Sequence, residues 1–184
     1  MMLRLRVPLG FLFAAWYVLV ARPSSVVLLV VSIGVVAAGC ALRSWAAGYL
    51  FKGRRVAVGG PYAYIRNPLY VGSFMIGAGF CAALWQNPLP LSAIILWAAF
   101  VLGFGAVYGA KSKAEEAELS RALGPDYDRY AGQVPGFVPV HGRVDGLGEQ
   151  HFSAELYRRN REYQCVLGSL ALLAVLWLKF LRAV

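Results

Sequence analysis

The chain is short of charge. Of its 184 residues only 15% are charged, and just 9 are acidic. Soluble domains carry about 25% charged residues, and disordered chains carry more charge and fewer apolar residues. Both classes are therefore excluded. Cysteine is also scarce. Cys40, Cys81 and Cys165 are odd in number, form no Cys-x-x-Cys, and each lies in an apolar stretch. This excludes a disulfide-stapled module and reads as small buried apolar side chains. The two histidines, His141 and His151, lie in a glycine-rich loop without metal-ligand spacing. No Gly-x-Gly-x-x-Gly follows a strand-like run, which excludes the doubly wound nucleotide-binding sheet.

What the chain has in abundance is apolar surface. Hydrophobic residues make up 59% of it, more than a soluble fold of this length can bury. The expected fold class is an all-α polytopic membrane protein with about five transmembrane helices, residues 1–184 forming one domain. A membrane span needs about 20 mostly apolar residues. The candidate spans are 7–21, which is short and retained rather than cleaved as a signal peptide, then 24–42, 69–85, 89–110 and 163–181. Only Gln86, Asn87 and Pro88 separate the third from the fourth, a tight helical hairpin. Small residues four apart suit close helix approach: Gly34 and Ala38, Ser73 and Gly77, Gly105 and Gly109. Gly77-Ala78-Gly79 sits within a span and reads as packing, not as a nucleotide loop.

The net charge of +9 reads as an orientation signal. With five spans, the N-terminus, the 43–68 loop and the 111–162 segment share one side, and 15 of the 18 Lys and Arg fall there. Basic residues accumulate on the cytoplasmic side. The expectation is a multi-pass protein of a bacterial inner membrane, with its N-terminus and active site cytoplasmic. Its partners are membrane lipids and a lipophilic small molecule or lipid, not nucleic acid.

Two polar segments can carry chemistry. In 43–68, Gly59-Gly60-Pro61 is a turn signal. Asn67 before Pro68 reads as the cap of the third span, its amide near free backbone N–H groups. A helix N-terminus beside Arg66 can receive a carboxylate or phosphate; equally, Arg66 can meet lipid phosphate. In the second segment, the fourth span continues as a helix to Leu123, stopped by Gly124-Pro125. Lys111 and Glu115, like Ser112 and Glu116, stand four apart on one helix face. They form either a solvated ion-paired surface or a carboxylate site for a cationic or hydroxyl-rich ligand. After glycine-rich 139–150, Ser153 is an N-cap from which one helix runs through Tyr157-Arg-Arg-Asn-Arg-Glu-Tyr163 into the last span, its basic start meeting anionic headgroups.

The stretch Gly60-Pro61-Tyr62-Ala63-Tyr64-Ile65-Arg66-Asn67-Pro68-Leu69-Tyr70-Val71-Gly72, followed about forty residues later by Glu115-Glu116, resembles the integral-membrane methyltransferases related to isoprenylcysteine carboxyl methyltransferase and the phospholipid N-methyltransferases. Their pattern is Gly-Pro-Tyr-x-x-x-Arg-(His/Asn)-Pro-x-Tyr-x-Gly. Leu123-Gly124-x-x-Tyr127-x-x-Tyr130 and Val134-Pro135-x-x-x-Pro139 also keep the family's spacing. The resemblance covers about 43–140, the expected catalytic part; the first span and the extra C-terminal helix at about 153–182 lie outside it.

The resemblance implies S-adenosylmethionine as methyl donor. It implies a donor pocket lined by Tyr62, Arg66, Asn67, Pro68, Tyr70, Gly72, Glu115 and Glu116, with Glu115, Lys111 and Tyr62 as candidate catalytic groups and no metal. Arg66 suits the donor's carboxylate, a glutamate suits its ammonium or diol, and Tyr62 or Tyr70 can stack on adenine or face the sulfonium. Where the acceptor is an amine, Glu115 or Tyr62 can assist loss of its proton. Two positions depart from the pattern of the carboxyl methyltransferases. Asn67 stands where many members have histidine, and Lys111 or Lys113 where the eukaryotic ones have arginine. Lysine offers no bidentate fork, which argues against a carboxylate acceptor. The acceptor classes are an isoprenylcysteine carboxylate-like group, a phospholipid amine or another small hydrophobic acceptor. Other functions of the same architecture are a sterol-reductase-like enzyme using NADPH and a non-enzymatic lipid-binding membrane protein.

Overall fold

The structure is a computed structural model that describes residues 17–19, 21–23, 25–51, 55–84, 91–139 and 149–183. All regular structure among the described residues is helical. The first expected span, 7–21, lies mostly outside them; its end, 17–19, is helical. The Gln86-Asn87-Pro88 connection and most of 139–150 also lie outside.

Helix α1 spans Val26–Ala47, with Ser25 Oγ accepting from the Leu28 N–H as its cap. It runs five residues beyond the expected end, because Arg43-Ser-Trp-Ala-Ala contains no breaker before Gly48. A 3₁₀ turn, Gly60–Ala63, follows, and Gly60 takes φ +55° there, a conformation only glycine adopts freely. Helix α2 is Pro68–Ala82, helix α3 the 33-residue Leu91–Leu123, and helix α4 Pro125–Gln133. As expected, α3 carries the fourth span on to Leu123 and stops at Gly124-Pro125.

The C-terminal part departs from expectation. Ser153 does cap a helix, its Oγ accepting from the Leu156 N–H at 3.2 Å. That helix, α5 (Ala154–Asn160), stops at Arg161 in the left-handed region, φ 58°, and α6 begins anew at Tyr163 and runs to Ala183. The expected single helix is therefore an elbow.

Among the described residues, three helices are long and apolar enough to cross a membrane: Val26–Ala47, Ala93–Leu123 and Tyr163–Ala183. At 15 residues, α2 extends only about 22 Å, short of a hydrocarbon core of about 30 Å. Large apolar side chains stay exposed on all three long helices, among them Val27, Leu102 and Leu167. Such surface is stable only against other apolar matter, here lipid.

Helices α1 and α2 run antiparallel and touch backbone to backbone. A Cβ on Gly72 would lie 2.8 Å from the Gly39 carbonyl oxygen, and one on Gly79 3.1 Å from that of Ser32. The contact therefore runs through Gly39 and Gly72 rather than the anticipated Gly34–Ala38 and Gly105–Gly109 pairs, which have open space beside their glycines. The small-residue pattern alone cannot say which face turns outward. Gly77 packs on Phe100, so the Gly77-Ala78-Gly79 stretch serves packing, as expected. Cys40 and Cys81 are buried and Cys165 is half-buried, all three as free thiols.

Two apolar clusters hold the ends. One joins Tyr17, Ala21, Leu29, Cys81, Leu84, Leu96 and Leu176 at the end remote from the polar segments. The other joins Val58, Tyr127, Tyr130 and Val134 beneath α4.

Candidate functional site

The last turns of α1, the start of α2, the second half of α3, α4 and the α5–α6 elbow converge on one cleft of about 670 Å³. That volume lies within the range of about 300–1,000 Å³ typical of small-molecule sites. Along α3 the cleft reaches from Tyr108 to Ala122, about 21 Å of helix at 1.5 Å per residue.

Both polar segments line it and bond to each other. Asn67 Nδ2 donates to Glu116 Oε1 at 3.3 Å, and Ser112 Oγ does the same at 3.3 Å. Arg66 Nη1 stands 3.5 Å from Glu116 Oε2. The Tyr70 hydroxyl donates to Glu115 Oε2, while Lys111 Nζ lies 3.2 Å from Glu115 Oε1 and 5.3 Å from the centre of the Tyr70 ring. Residues 45 to 49 positions apart in sequence are thus paired side by side.

Asn67 corrects one expectation. It precedes α2 as anticipated, yet its side chain makes no cap hydrogen bond. The Tyr70 N–H, which a side-chain cap could satisfy, donates to the Asn67 carbonyl at 3.0 Å, and the amide turns to Glu116 instead. The backbone around it is pinned from elsewhere: the Arg66 N–H donates to the Pro135 carbonyl at 2.8 Å and the Asn67 N–H to that of Gly136 at 3.1 Å.

Arg66 is half-spent. Its Nε is buried with no hydrogen-bond partner among the described residues. A buried guanidinium N–H without a partner is costly, and an anion entering the cleft would satisfy it. Tyr62 is buried at 6% exposure, and its carbonyl accepts from the buried Tyr130 hydroxyl at 2.9 Å. Burial, with the negative charges of Glu162 and Glu115 opposing Arg43, pushes the Tyr62 phenol well above its ordinary range. Tyr130 is raised by burial as well, and Tyr127 by burial and by Glu116. A phenol so shifted stays neutral at physiological pH, so Tyr62 can donate or stack but is a poor proton acceptor. Of the two groups considered for that task, Glu115 is the carboxylate, whose two oxygens meet Tyr70 and Lys111.

Of the anticipated residues, Tyr62, Arg66, Asn67, Pro68, Tyr70, Lys111, Glu115 and Glu116 all line the cleft. Gly72 does not; it is buried at the α1–α2 crossing, against Gly39 and the Arg43 side chain.

Among the lining residues not anticipated as site residues, Arg43 and Glu162 form an ion pair. Glu162 was read as part of a headgroup-facing basic start, but the elbow turns it inward. Arg43 Nε and Nη2 donate to the Glu162 carboxylate at 3.0, 3.0 and 2.7 Å. Arg43 Nη1 donates to the Leu69 carbonyl at 3.0 Å and to Ser73 Oγ. The available signal was an arginine and a glutamate each at the end of an apolar run, since ionisable groups there need a partner.

Fold and site together define a helical membrane protein with a polar, charge-lined cleft where its helices meet their polar extensions. The chain is 34% identical over 99 residues, 53% of its length and 43% of the relative's, to the nickel-cobalt-cadmium resistance protein NccN of Alcaligenes xylosoxydans xylosoxydans. It is 30% identical over 82 residues, 45% of its length and 28% of the relative's, to methanethiol S-methyltransferase of Crocosphaera subtropica. The chain thus spans less than half the length of either relative. No model of a known protein family matches it, and no solved structure does.

Proposed function

We propose that the protein transfers a methyl group from S-adenosylmethionine to a lipophilic acceptor, with the cleft at the cytoplasmic membrane face. The observation that carries this reading is the pairing of Asn67 with Glu116 and of Tyr70 with Glu115 across one cleft. The two segments that resemble membrane methyltransferases, distant in sequence, meet there. The distant similarity to an enzyme named for S-methyl transfer supports the same class of reaction.

The residues present suit the donor. Arg66, with its unsatisfied buried Nε, is a seat for a carboxylate. Glu116 and Glu115, partly exposed to the cleft, are acceptors for an ammonium or a diol. When bound, S-adenosylmethionine supplies an electrophilic methyl on a sulfonium. The chain's own part is to hold donor and acceptor in line and to exclude water. Tyr62, neutral and buried, fixes one wall. Glu115 takes the acceptor's proton where the acceptor is an amine or a thiol. Lys111 pairs with Glu115 at 3.2 Å and holds that carboxylate in place. Residues 43–140, together with Glu162 from the extra C-terminal part, form the catalytic unit.

The test is calorimetric titration of S-adenosylhomocysteine into the purified protein in lipid nanodiscs. Membranes are also incubated with methyl-labelled donor, and the labelled product is identified. Saturable binding and a labelled lipophilic product are expected; no binding of the demethylated donor overturns the proposal.

A further inference from the structure

We infer that Glu162 is a specificity-determining residue that closes the membrane-side end of the cleft to anionic acceptors, so that the acceptor presents an uncharged or cationic reacting end. The inference rests on the methyl-transfer reading of this cleft and narrows its substrate class.

The cleft holds two arginine stations. Arg66 faces Glu116, while Arg43 lies on the span side, near Tyr108. On α3, Tyr108 and Glu116 are eight residues apart, about 12 Å along the axis. The two stations differ in what they leave unspent. Arg66 retains an Nε without a hydrogen-bond partner among the described residues, beside the Tyr127 side chain and a loose ion pair with Glu116 at 3.5 Å. Arg43 retains nothing: Nε, Nη1 and Nη2 are all engaged, by both Glu162 oxygens, the Leu69 carbonyl and Ser73 Oγ. A guanidinium fork is matched to one carboxylate, and here the chain supplies it.

Glu162 is held where it can do this. Arg161 adopts its left-handed conformation immediately before it. Asn160 Nδ2 donates to the Ala47 and Leu50 carbonyls at 2.9 and 3.0 Å, fastening the elbow to the end of α1. A strained residue fixed by its surroundings beside a cleft marks a position with a task. An anionic acceptor approaching from the spans meets the Glu162 carboxylate already seated on the cation it needs. Its own charge would then be buried without a partner. A thiol, an alcohol or an amine meets no such obstacle.

The experiment compares binding of hexanoate, hexanol and hexylamine to the nanodisc protein loaded with S-adenosylhomocysteine, for the wild type and for Glu162→Ala and Glu162→Gln. The wild type should bind hexanol or hexylamine at least about tenfold more tightly than hexanoate, a margin expected from one unpaired charge. Glu162→Ala, with the fork open, should gain at least about tenfold in hexanoate affinity, and millimolar acetate should compete with that gain. Glu162→Gln, close to isosteric, keeps the comparison available if the alanine variant does not fold. The inference is overturned if wild-type protein takes hexanoate as well as the neutral or cationic chains, or takes none of the three. It is also overturned if neither folded variant gains hexanoate. Loss of the methyl-transfer reading looks different: S-adenosylhomocysteine fails to bind wild-type protein, while the opening of Arg43 to hexanoate, measured without it, persists.

Discussion

Replacing Gly72 by alanine tests the α1–α2 contact on which the cleft is built. The new Cβ would stand 2.6 Å from Arg43 Cγ and 2.8 Å from the Gly39 carbonyl oxygen. The arginine stem can bend, but the carbonyl belongs to a helix and cannot. Ordinary contacts begin near 3.4 Å, so the two helices must part by about 0.6 Å at this point. A gap of that size forfeits a quarter to a half of each dispersion contact along the seam, and overpacking of this kind costs about 1–3 kcal/mol. Alanine also gains about 0.5–1 kcal/mol over glycine as a helix former. Gly34→Ala in α1 isolates that second effect, because nothing lies within 4 Å of its Cβ. The difference between the two variants should therefore be about 1–3 kcal/mol, with Gly72→Ala the less stable. Denaturant titration in detergent micelles, followed by tryptophan fluorescence, measures it. Equal midpoints for the two variants would refute the reasoning, since the helices would then not meet at Gly39 and Gly72.

Further consequences concern the cleft and its surroundings. Glu116→Gln removes the charged partner of Arg66 and Asn67 and should weaken S-adenosylhomocysteine binding about 10- to 100-fold by calorimetry, a hydrogen bond to a charged group being worth about 1.5–3 kcal/mol; undiminished binding would take Glu116 out of the site. Tyr130→Phe strands the Tyr62 carbonyl and should lower stability by about 1–3 kcal/mol, read as a fall in Tm. Tyr62 and Tyr130 are raised above the ordinary phenol value of 10.0, so the folded state holds their protons longer than the unfolded chain does. Their contribution is whole below pH 10 and declines as the pH rises beyond it, so wild-type protein should lose stability between pH 10 and 11 more steeply than Tyr130→Phe. For the membrane orientation, a cysteine at Glu118 in a background with Cys40, Cys81 and Cys165 replaced should react with an impermeant maleimide only in inside-out vesicles; labelling of intact cells instead would reverse the assignment.

What the sequence disclosed follows from the range over which each signal acts. Apolar runs are local, so the courses of α1, α2, α3 and α6 were legible within a few residues. The stop at Gly124-Pro125 and the cap at Ser153 were legible for the same reason. That Asn67 and Tyr70 stand with Glu115 and Glu116 was legible only through resemblance, because no local rule pairs residues 45 positions apart. The Arg43–Glu162 pair was missed on both counts, lying 119 residues apart with one partner outside the recognisable segment. The elbow at Arg161 was missed because nothing in Arg-Arg-Asn-Arg-Glu breaks a helix. Tertiary contacts, Asn160 on the end of α1 and Glu162 on Arg43, outweigh local propensity there.

The separation of 119 residues between Arg43 and Glu162 also has a meaning in time. At about 5–20 residues per second, a ribosome takes roughly 6–24 s to travel from one codon to the other. Throughout that interval the nascent chain carries a guanidinium at the edge of the bilayer with its counter-ion not yet made. Until α6 emerges, water or lipid phosphate would have to serve the arginine in place of Glu162. Docking of α6 is then the step that gives Arg43 its carboxylate, and a chain arrested before it would keep an open, charged seam between α1 and α2.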